Sequence, residues 1–159
     1  MSKLVLTLAV VGRFRVATAM AGVADSPLAA GFTKIVYSTS GVFSRGDIET
    51  IFMCTNTGRK NVHVGVEVFT AGNLSLNDPT ITALDLPPGT SAAWGTNGFA
   101  DLTIDRSLGF ASIHDRASAR IVANATTLVC TVALADPVNS PPRFITPLTL
   151  VSKATQKGD

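Results

Sequence analysis

The two cysteines of this 159-residue chain, Cys54 and Cys130, each lie near the end of an apolar run that threonines flank. The runs cover residues 50–55 and 127–131, and short apolar runs of this kind are typical of buried strands. We therefore expect a disulfide across a β-sandwich, in a protein from an oxidising compartment. Loop-closure entropy gives such a bond about 4.5 kcal/mol of stabilisation. The alternative is a pair of free, buried thiols.

The N-terminal residues predict a secretory leader. A lysine, an apolar run and a group of small residues follow one another within residues 1–24. This order is typical of a signal peptide, with cleavage before Gly22 or Asp25. The alternative is a first β-strand over residues 4–11. The apolar run is too short to span a bilayer as a helix. The leader predicts a secreted or periplasmic protein that has no membrane span.

The formal charge of +2 at pH 7 is due to the predicted leader. The leader contains Lys3, Arg13 and Arg15 and no acidic residue, so the chain that remains after cleavage carries a charge of −1. A nearly neutral domain has no general attraction to a phosphate backbone or an anionic membrane. We therefore expect no nucleic-acid partner, and a ligand that is an unknown protein or carbohydrate.

Hydrophobic alternation with a period of two dominates the rest of the chain. Its clearest case is residues 62–68, where valine occupies every second position. Turn sequences rich in glycine, proline and asparagine recur at short intervals, among them Asp136-Pro137. These patterns predict an all-β fold, an antiparallel immunoglobulin-like β-sandwich of seven to nine strands over residues 25–151, followed by a flexible tail over residues 152–159.

The expected strands lie at residues 33–38, 48–55, 61–70, 79–86, 91–95, 100–105, 117–123, 127–135 and 143–151. The stretch Cys54–Val68 opens with an Asn-Thr-Gly turn and continues as the valine strand, and Leu86–Trp94 places a Pro-Pro-Gly turn before the next strand. These stretches resemble bacterial secreted and surface immunoglobulin-like modules of the CARDB adhesion type. The resemblance covers about the middle third of the chain and implies a fold more than a function.

The sequence does not specify a catalytic or metal site. His63 and Glu67 share one strand face but are separated by about 13 Å, too far to hold one metal ion. We expect that face, with Gly65 between them, to be solvated, and the alternative is that it meets a neighbouring element. The loop carboxylates considered for calcium, which lack the order of a calcium-binding loop, are Asp101, Asp105 and Asp115. The segment Gly89–Ala93 lacks the second glycine of a nucleophile elbow. We expect a protein that is not an enzyme and has no cofactor or metal.

The loop after the lone tryptophan is the best candidate for a ligand contact. Trp94 precedes a glycine-rich stretch, and an aromatic side chain beside such a loop suits a sugar or a protein partner. We predict Trp94, Asn97 and Phe99 as ligand contacts. The alternative is that Trp94 fills the core beneath this loop.

Two sequons for N-glycosylation lie at predicted turns. They begin at Asn73 and Asn124. The alternative to glycan attachment is a turn asparagine that tolerates a left-handed backbone.

Together these patterns predict a binding or adhesion module that acts through loops at one end of the sandwich. A self-assembling structural subunit of the cell envelope is the first alternative, because an uncovered strand edge can pair with a partner strand. A small hydrolase or metal-dependent enzyme, built from loop carboxylates, is the second alternative.

Overall fold

The computed structural model describes residues 26–109 and 114–153. The predicted leader and residues 154–159 of the predicted tail lie outside the described residues. The described part contains strands and no α-helix, which confirms the all-β prediction, and it holds no helix able to cross a membrane. The strands are β1 (Lys34–Arg45), β2 (Ile48–Asn56), β3 (Val62–Phe69), β4 (Leu84–Leu86), β5 (Ser91–Gly95), β6 (Arg106–Ser107), β7 (His114–Ala123), β8 (Leu128–Ala135), β9 (Ile145–Pro147) and β10 (Val151–Ser152).

These ten strands exceed the seven to nine that were expected, and several predicted bounds differ. Strand β1 continues seven residues beyond its predicted end at residue 38, and β7 begins three residues before its predicted start at residue 117. The strand predicted at residues 79–86 forms only over its last three residues. Asp78 accepts hydrogen bonds from both the N–H and the hydroxyl of Thr80, so this part of the chain forms a turn. The strand predicted at residues 100–105 is a loop, and the one predicted at 143–151 divides into β9 and β10. Two-residue strands are too short for hydrophobic alternation to reveal.

All ten strands belong to one mixed sheet that curls into a half-barrel. Its main path runs β4-β3-β7-β1-β2-β5-β6, with β10 paired to β1 and β8 paired to both β2 and β9. Strand β1 joins the two arms, because it pairs with β7 over most of its length and with β2 only at Ser44 and Arg45. The β5–β6 pair is parallel, so the sheet is not antiparallel throughout as expected. The sandwich itself stays a prediction.

One hydrophobic core joins the two arms of the sheet. Val64 and Val66 of β3 are 0% exposed, which confirms the inward face that the alternation predicted. Phe52 of β2 and Trp94 of β5 belong to the same cluster and are also 0% exposed. Side chains from the two arms bury one another, and the hydrophobic effect therefore stabilises the curl.

The outer face of β3, with His63, Gly65 and Glu67, is covered by neighbouring segments. The expectation of a solvated face is therefore wrong, and the alternative of a neighbouring element is the one observed. Glu67 is 7% exposed, and the side chain of His63 is 32% exposed. Residues 26–33 lie over one part of this face and residues 75–83 over another. The alternation of β3 identifies its two faces but does not show which segments cover them. The two covering segments themselves lack a strong hydrophobic period, so the sequence did not predict their position.

Cys54 and Cys130 form a disulfide bond, as predicted. The two cysteines are direct partners in the antiparallel β2–β8 pair, with Cα atoms 4.1 Å apart. The bond therefore joins neighbouring strands of one sheet, and the expectation that it joins two layers is wrong. The bond links β8 covalently to β2, and β2 pairs along its other edge with β5.

Candidate functional site

Two loops leave the sheet at the same end. Strand β5 ends with Gly95 opposite Ile51, and β8 ends with Ala135 opposite Glu49. Both strands therefore stop beside the start of β2. The loops that follow them, residues 96–105 and residues 136–144, are called the paired loops below.

Two hydrogen bonds connect the paired loops directly. The Ala100 N–H donates to the Pro137 carbonyl oxygen at 2.7 Å. The Ser140 hydroxyl donates to Asp101 Oδ1 at 2.8 Å. Because each bond has one group on each loop, the two loops form one surface.

A buried carboxylate anchors the first loop to the sheet. Glu49 is 1% exposed, and its Oε2 accepts a hydrogen bond from the Thr96 hydroxyl at 2.5 Å. The Thr96 hydroxyl oxygen also accepts the N–H of Thr50 at 2.9 Å. A buried carboxylate without a donor is destabilising, so this contact fixes the point at which the loop leaves β5.

Asp136 organises the second loop. Its carboxylate accepts the backbone N–H groups of Val138, Asn139 and Arg143 at 2.9, 3.1 and 3.1 Å, and the side-chain amide of Asn139 at 2.7 Å. Burial raises the pKa of Asp136, but these hydrogen bonds favour the charged form more strongly and lower the pKa to about 2. The carboxylate is therefore ionised at neutral pH and holds the loop in one conformation.

The second loop borders a hollow of about 350 Å³. The lining residues are Asp47, Asp136, Val138, Asn139, Arg143 and Phe144. Three large apolar side chains at this place are exposed: Val138 by 63%, Phe144 by 36% and Ile145 by 57%. We call these three residues the apolar rim. Apolar and aromatic side chains beside an arginine are typical of protein interfaces.

The structure places the three predicted contact residues differently. Trp94 is 0% exposed, and its Nε1–H donates to the Thr82 carbonyl oxygen at 2.8 Å, so its indole lies in the core and does not face a ligand. This is the alternative that the sequence left open. Asn97 is exposed in the first of the paired loops. Phe99 is half-buried and packs against the outer face of β2 and β5.

No sequence pattern predicted the apolar rim. The Asp136-Pro137 step was recognised as a turn, but turn chemistry predicts chain reversal and not the side chains that a loop exposes. The available signal was the presence of Val138 and Phe144 in a stretch otherwise rich in proline, serine and asparagine. Large apolar residues in such a stretch either pack beneath the loop or face a partner, and the sequence does not separate these cases.

The residues considered for metal binding have other partners. Among residues 26–109 and 114–153, no three His, Cys, Asp or Glu side chains group so that they could hold a metal ion. Asp101 accepts the serine hydroxyl described above, and Asp105 Oδ2 accepts the Ala93 N–H at 2.8 Å. His63 Nδ1 lies 2.8 Å from Asp85 Oδ1. Each of these groups contributes to local structure.

The two sequon asparagines also make local backbone contacts. Asn73 has a positive φ of 65°, as the turn alternative expects. Asn124 Oδ1 accepts the N–H of His63 at 3.0 Å. Both side chains lie at turns, where Asn124 is exposed and Asn73 half-buried.

Comparison of the chain with protein-family models, with curated proteins and with solved structures finds no match. The resemblance to CARDB-type modules therefore stays a prediction.

Proposed function

We propose that this protein is a secreted or periplasmic, non-enzymatic binding module that engages a protein partner through the paired loops. The observation that supports this most is the apolar rim, which is exposed on the second loop and at the first residue of β9, beside the hydrogen bonds by which Asp136 holds that loop. An ordered loop loses less conformational entropy on binding than a mobile one, so its exposed apolar surface contributes more to affinity.

A protein partner is favoured over a carbohydrate by the chemistry of the rim. The rim consists of two aliphatic side chains and one phenylalanine, without the tryptophan or tyrosine that combines an apolar ring with a polar group. The lone tryptophan is buried. Arg143 beside the rim adds hydrogen-bond donors of the kind found at protein interfaces.

We further propose that the curled sheet is an immunoglobulin-like sandwich, in which β4-β3-β7-β1 form one layer and β5-β2-β8-β9 the other. The shared core between the two arms supports this arrangement. In such folds a rigid scaffold presents binding loops at its ends. The disulfide is compatible with an oxidising location, which agrees with the predicted leader.

Site-specific photocrosslinking on intact source cells tests the binding surface. A photoreactive amino acid replaces Val138 in the full chain, and we expect a discrete crosslinked adduct after irradiation. Excess native protein should compete this adduct away, whereas an excess of the Phe144→Asp variant should not. The competition separates a specific contact from random capture.

The matched control places the same photoreactive residue at Val129. Val129 is 57% exposed, close to the 63% of Val138, but it lies on the sheet away from the paired loops. Equal adducts from both positions, or no competed adduct from position 138, would show that the paired loops do not bind a partner.

A further inference from the structure

Residues 26–29 form a strap over the outer face of β3 and β7, and a buried arginine holds this strap by its backbone. Arg120 is 0% exposed. Its Nη1 donates to the Ser26 carbonyl oxygen at 2.8 Å and its Nη2 to the Pro27 carbonyl oxygen at 2.9 Å. Because both acceptors are main-chain atoms, the arginine recognises the path of the peptide rather than its side chains.

The sheet itself orients this arginine. Glu67 Oε2 accepts Arg120 Nε at 2.8 Å and Nη2 at 2.7 Å, and the guanidinium lies 5.1 Å from the centre of the Phe69 ring. The Ser75 hydroxyl donates to the other oxygen of Glu67 at 3.1 Å. The planar guanidinium is therefore oriented by neighbours outside the strap, while its Nη1 and Nη2 also donate to the strap.

Apolar contacts complete the site. Leu28 and Ala29 of the strap pack against a small cluster formed by Phe32, Ile35 and Val122, which is separate from the main core. We call Arg120, Glu67 and this cluster the strap groove. The groove combines two directed hydrogen bonds with an apolar surface, which are the elements of a peptide-binding site.

A tight turn connects the strap to β1. The Phe32 N–H donates to the Ala29 carbonyl oxygen at 3.2 Å, and Gly31 in this turn has a φ of 90°. Three contacts with β7 define the direction of the chain. Ser26 in the strap contacts Arg120, Thr33 after the turn donates its N–H to the Ala123 carbonyl oxygen, and Ser38 of β1 is again the pairing partner of Arg120. The strap therefore runs opposite to β1, and opening of the turn would carry it away from its own groove.

We propose that the strap can be exchanged between two copies of this chain, so that when closure within one chain is blocked the strap of each copy occupies the strap groove of the other. The contacts are the same within one chain and between two chains, so exchange requires only that the turn extends and that the copies associate. Docking within one chain is favoured by an effective concentration in the millimolar range. Exchange therefore becomes visible when closure within the chain is blocked. The exchange of the strap does not involve the paired loops, which lie outside the strap groove.

Deletion of Gly31 in the full chain tests this exchange. The shortened turn prevents the strap from folding back onto its own groove, but the strap still reaches a second copy. We expect the deletion variant to be a dimer by size-exclusion chromatography with light scattering, while the native chain at the same low concentration is a monomer. A deletion variant that stays monomeric with native circular dichroism overturns the proposal.

The control combines the Gly31 deletion with Glu67→Gln and Arg120→Met, which remove the hydrogen bonds to the strap without leaving a buried unpaired charge. This variant should be a monomer. If it dimerises as well as the simple deletion variant, the dimer does not use the strap groove and the proposal is wrong.

A second test avoids the deletion, in case the shortened chain does not fold. Native mass spectrometry is applied to a mixture of two full-length variants, one with Leu28→Asp in the strap and one with Glu67→Gln and Arg120→Met in the groove. We expect a one-to-one complex in the mixture and monomers in each separate sample. Absence of the mixed complex, with both variants folded, overturns the proposal.

Discussion

Glu67 and Arg120 lie directly opposite each other in the β3–β7 pair, and their buried ion pair also holds residues 26 and 27. The side chain of Arg120 is 0% exposed and that of Glu67 is 10% exposed. A buried ion pair of this kind is stable only with nearly complete hydrogen bonding, and the strap carbonyls supply part of it. The ion pair thus couples the sheet to the segment that covers it.

Arg120→Met should reduce the free energy of unfolding by about 3–5 kcal/mol, because Glu67 is left buried without its cation. The double variant Glu67→Gln, Arg120→Met should recover a large part of this loss. Urea denaturation followed by circular dichroism measures both values. A double variant as unstable as the single one would show that the loss does not come from the unpaired carboxylate.

Gly65→Ala should destabilise the fold by about 1–3 kcal/mol through overpacking. A Cβ at this position would lie 2.9 Å from both Phe32 Cζ and the Pro79 carbonyl oxygen. The matched control is Gly98→Ala, because a Cβ there has no neighbour within 4 Å. Thermal denaturation should separate the two variants, and an equal melting temperature would mean that the cover over β3 is loosely packed.

Asp136 should make stability depend on pH in the acid range. Its pKa is about 2 in the folded chain, below the value of about 3.9 for an unfolded aspartate. The stabilisation is therefore fully present above pH 4 and is lost as the pH falls towards 2. Asp136→Asn should show a smaller loss of unfolding free energy over this window than the native chain.

The control for this pH dependence is Val138→Ala, which changes the same loop and leaves the carboxylate in place. Its pH profile should follow that of the native chain. Acid titrations of stability by urea denaturation at each pH give the comparison. If Asp136→Asn and the native chain lose equal stability between pH 4 and pH 2, Asp136 does not organise the loop through its charge.

Loss of the disulfide should lower the free energy of unfolding by up to about 4.5 kcal/mol, the loop-entropy value for a sequence separation of 76. The double variant Cys54→Ala, Cys130→Ala tests this by urea denaturation with and without reductant. Reductant should destabilise the native chain and leave the variant unchanged. A native chain that is insensitive to full reduction would contradict a stabilising role for the bond.

The sequence predicted those parts of the fold that depend on local patterns. The alternation of residues 62–68 identified the inward face of β3, and the similar apolar runs around Cys54 and Cys130 predicted the disulfide. Neither pattern predicts which strands are neighbours in the sheet. The disulfide was therefore expected between layers, although the two cysteines are partners within one sheet.

The candidate site was predictable only in part, because its main features depend on distant segments. Asn97 and Phe99 do lie in one of the paired loops, but Trp94 lies in the core with its indole N–H bonded to Thr82. Glutamate occurs in solvated strands as well as in covered ones, so the sequence alone does not show whether Glu67 is buried. Only the tertiary contact with Arg120 shows that it is buried.

We propose above all that this disulfide-bonded β-domain works outside the cytosol. The most direct measurement is the intact mass of the protein from its source cells, after alkylation with and without prior reduction. We predict a mass that lacks the first 21 or 24 residues and alkylation only after reduction. A full-length mass with two thiols that alkylate without reduction would contradict both the export and the bond.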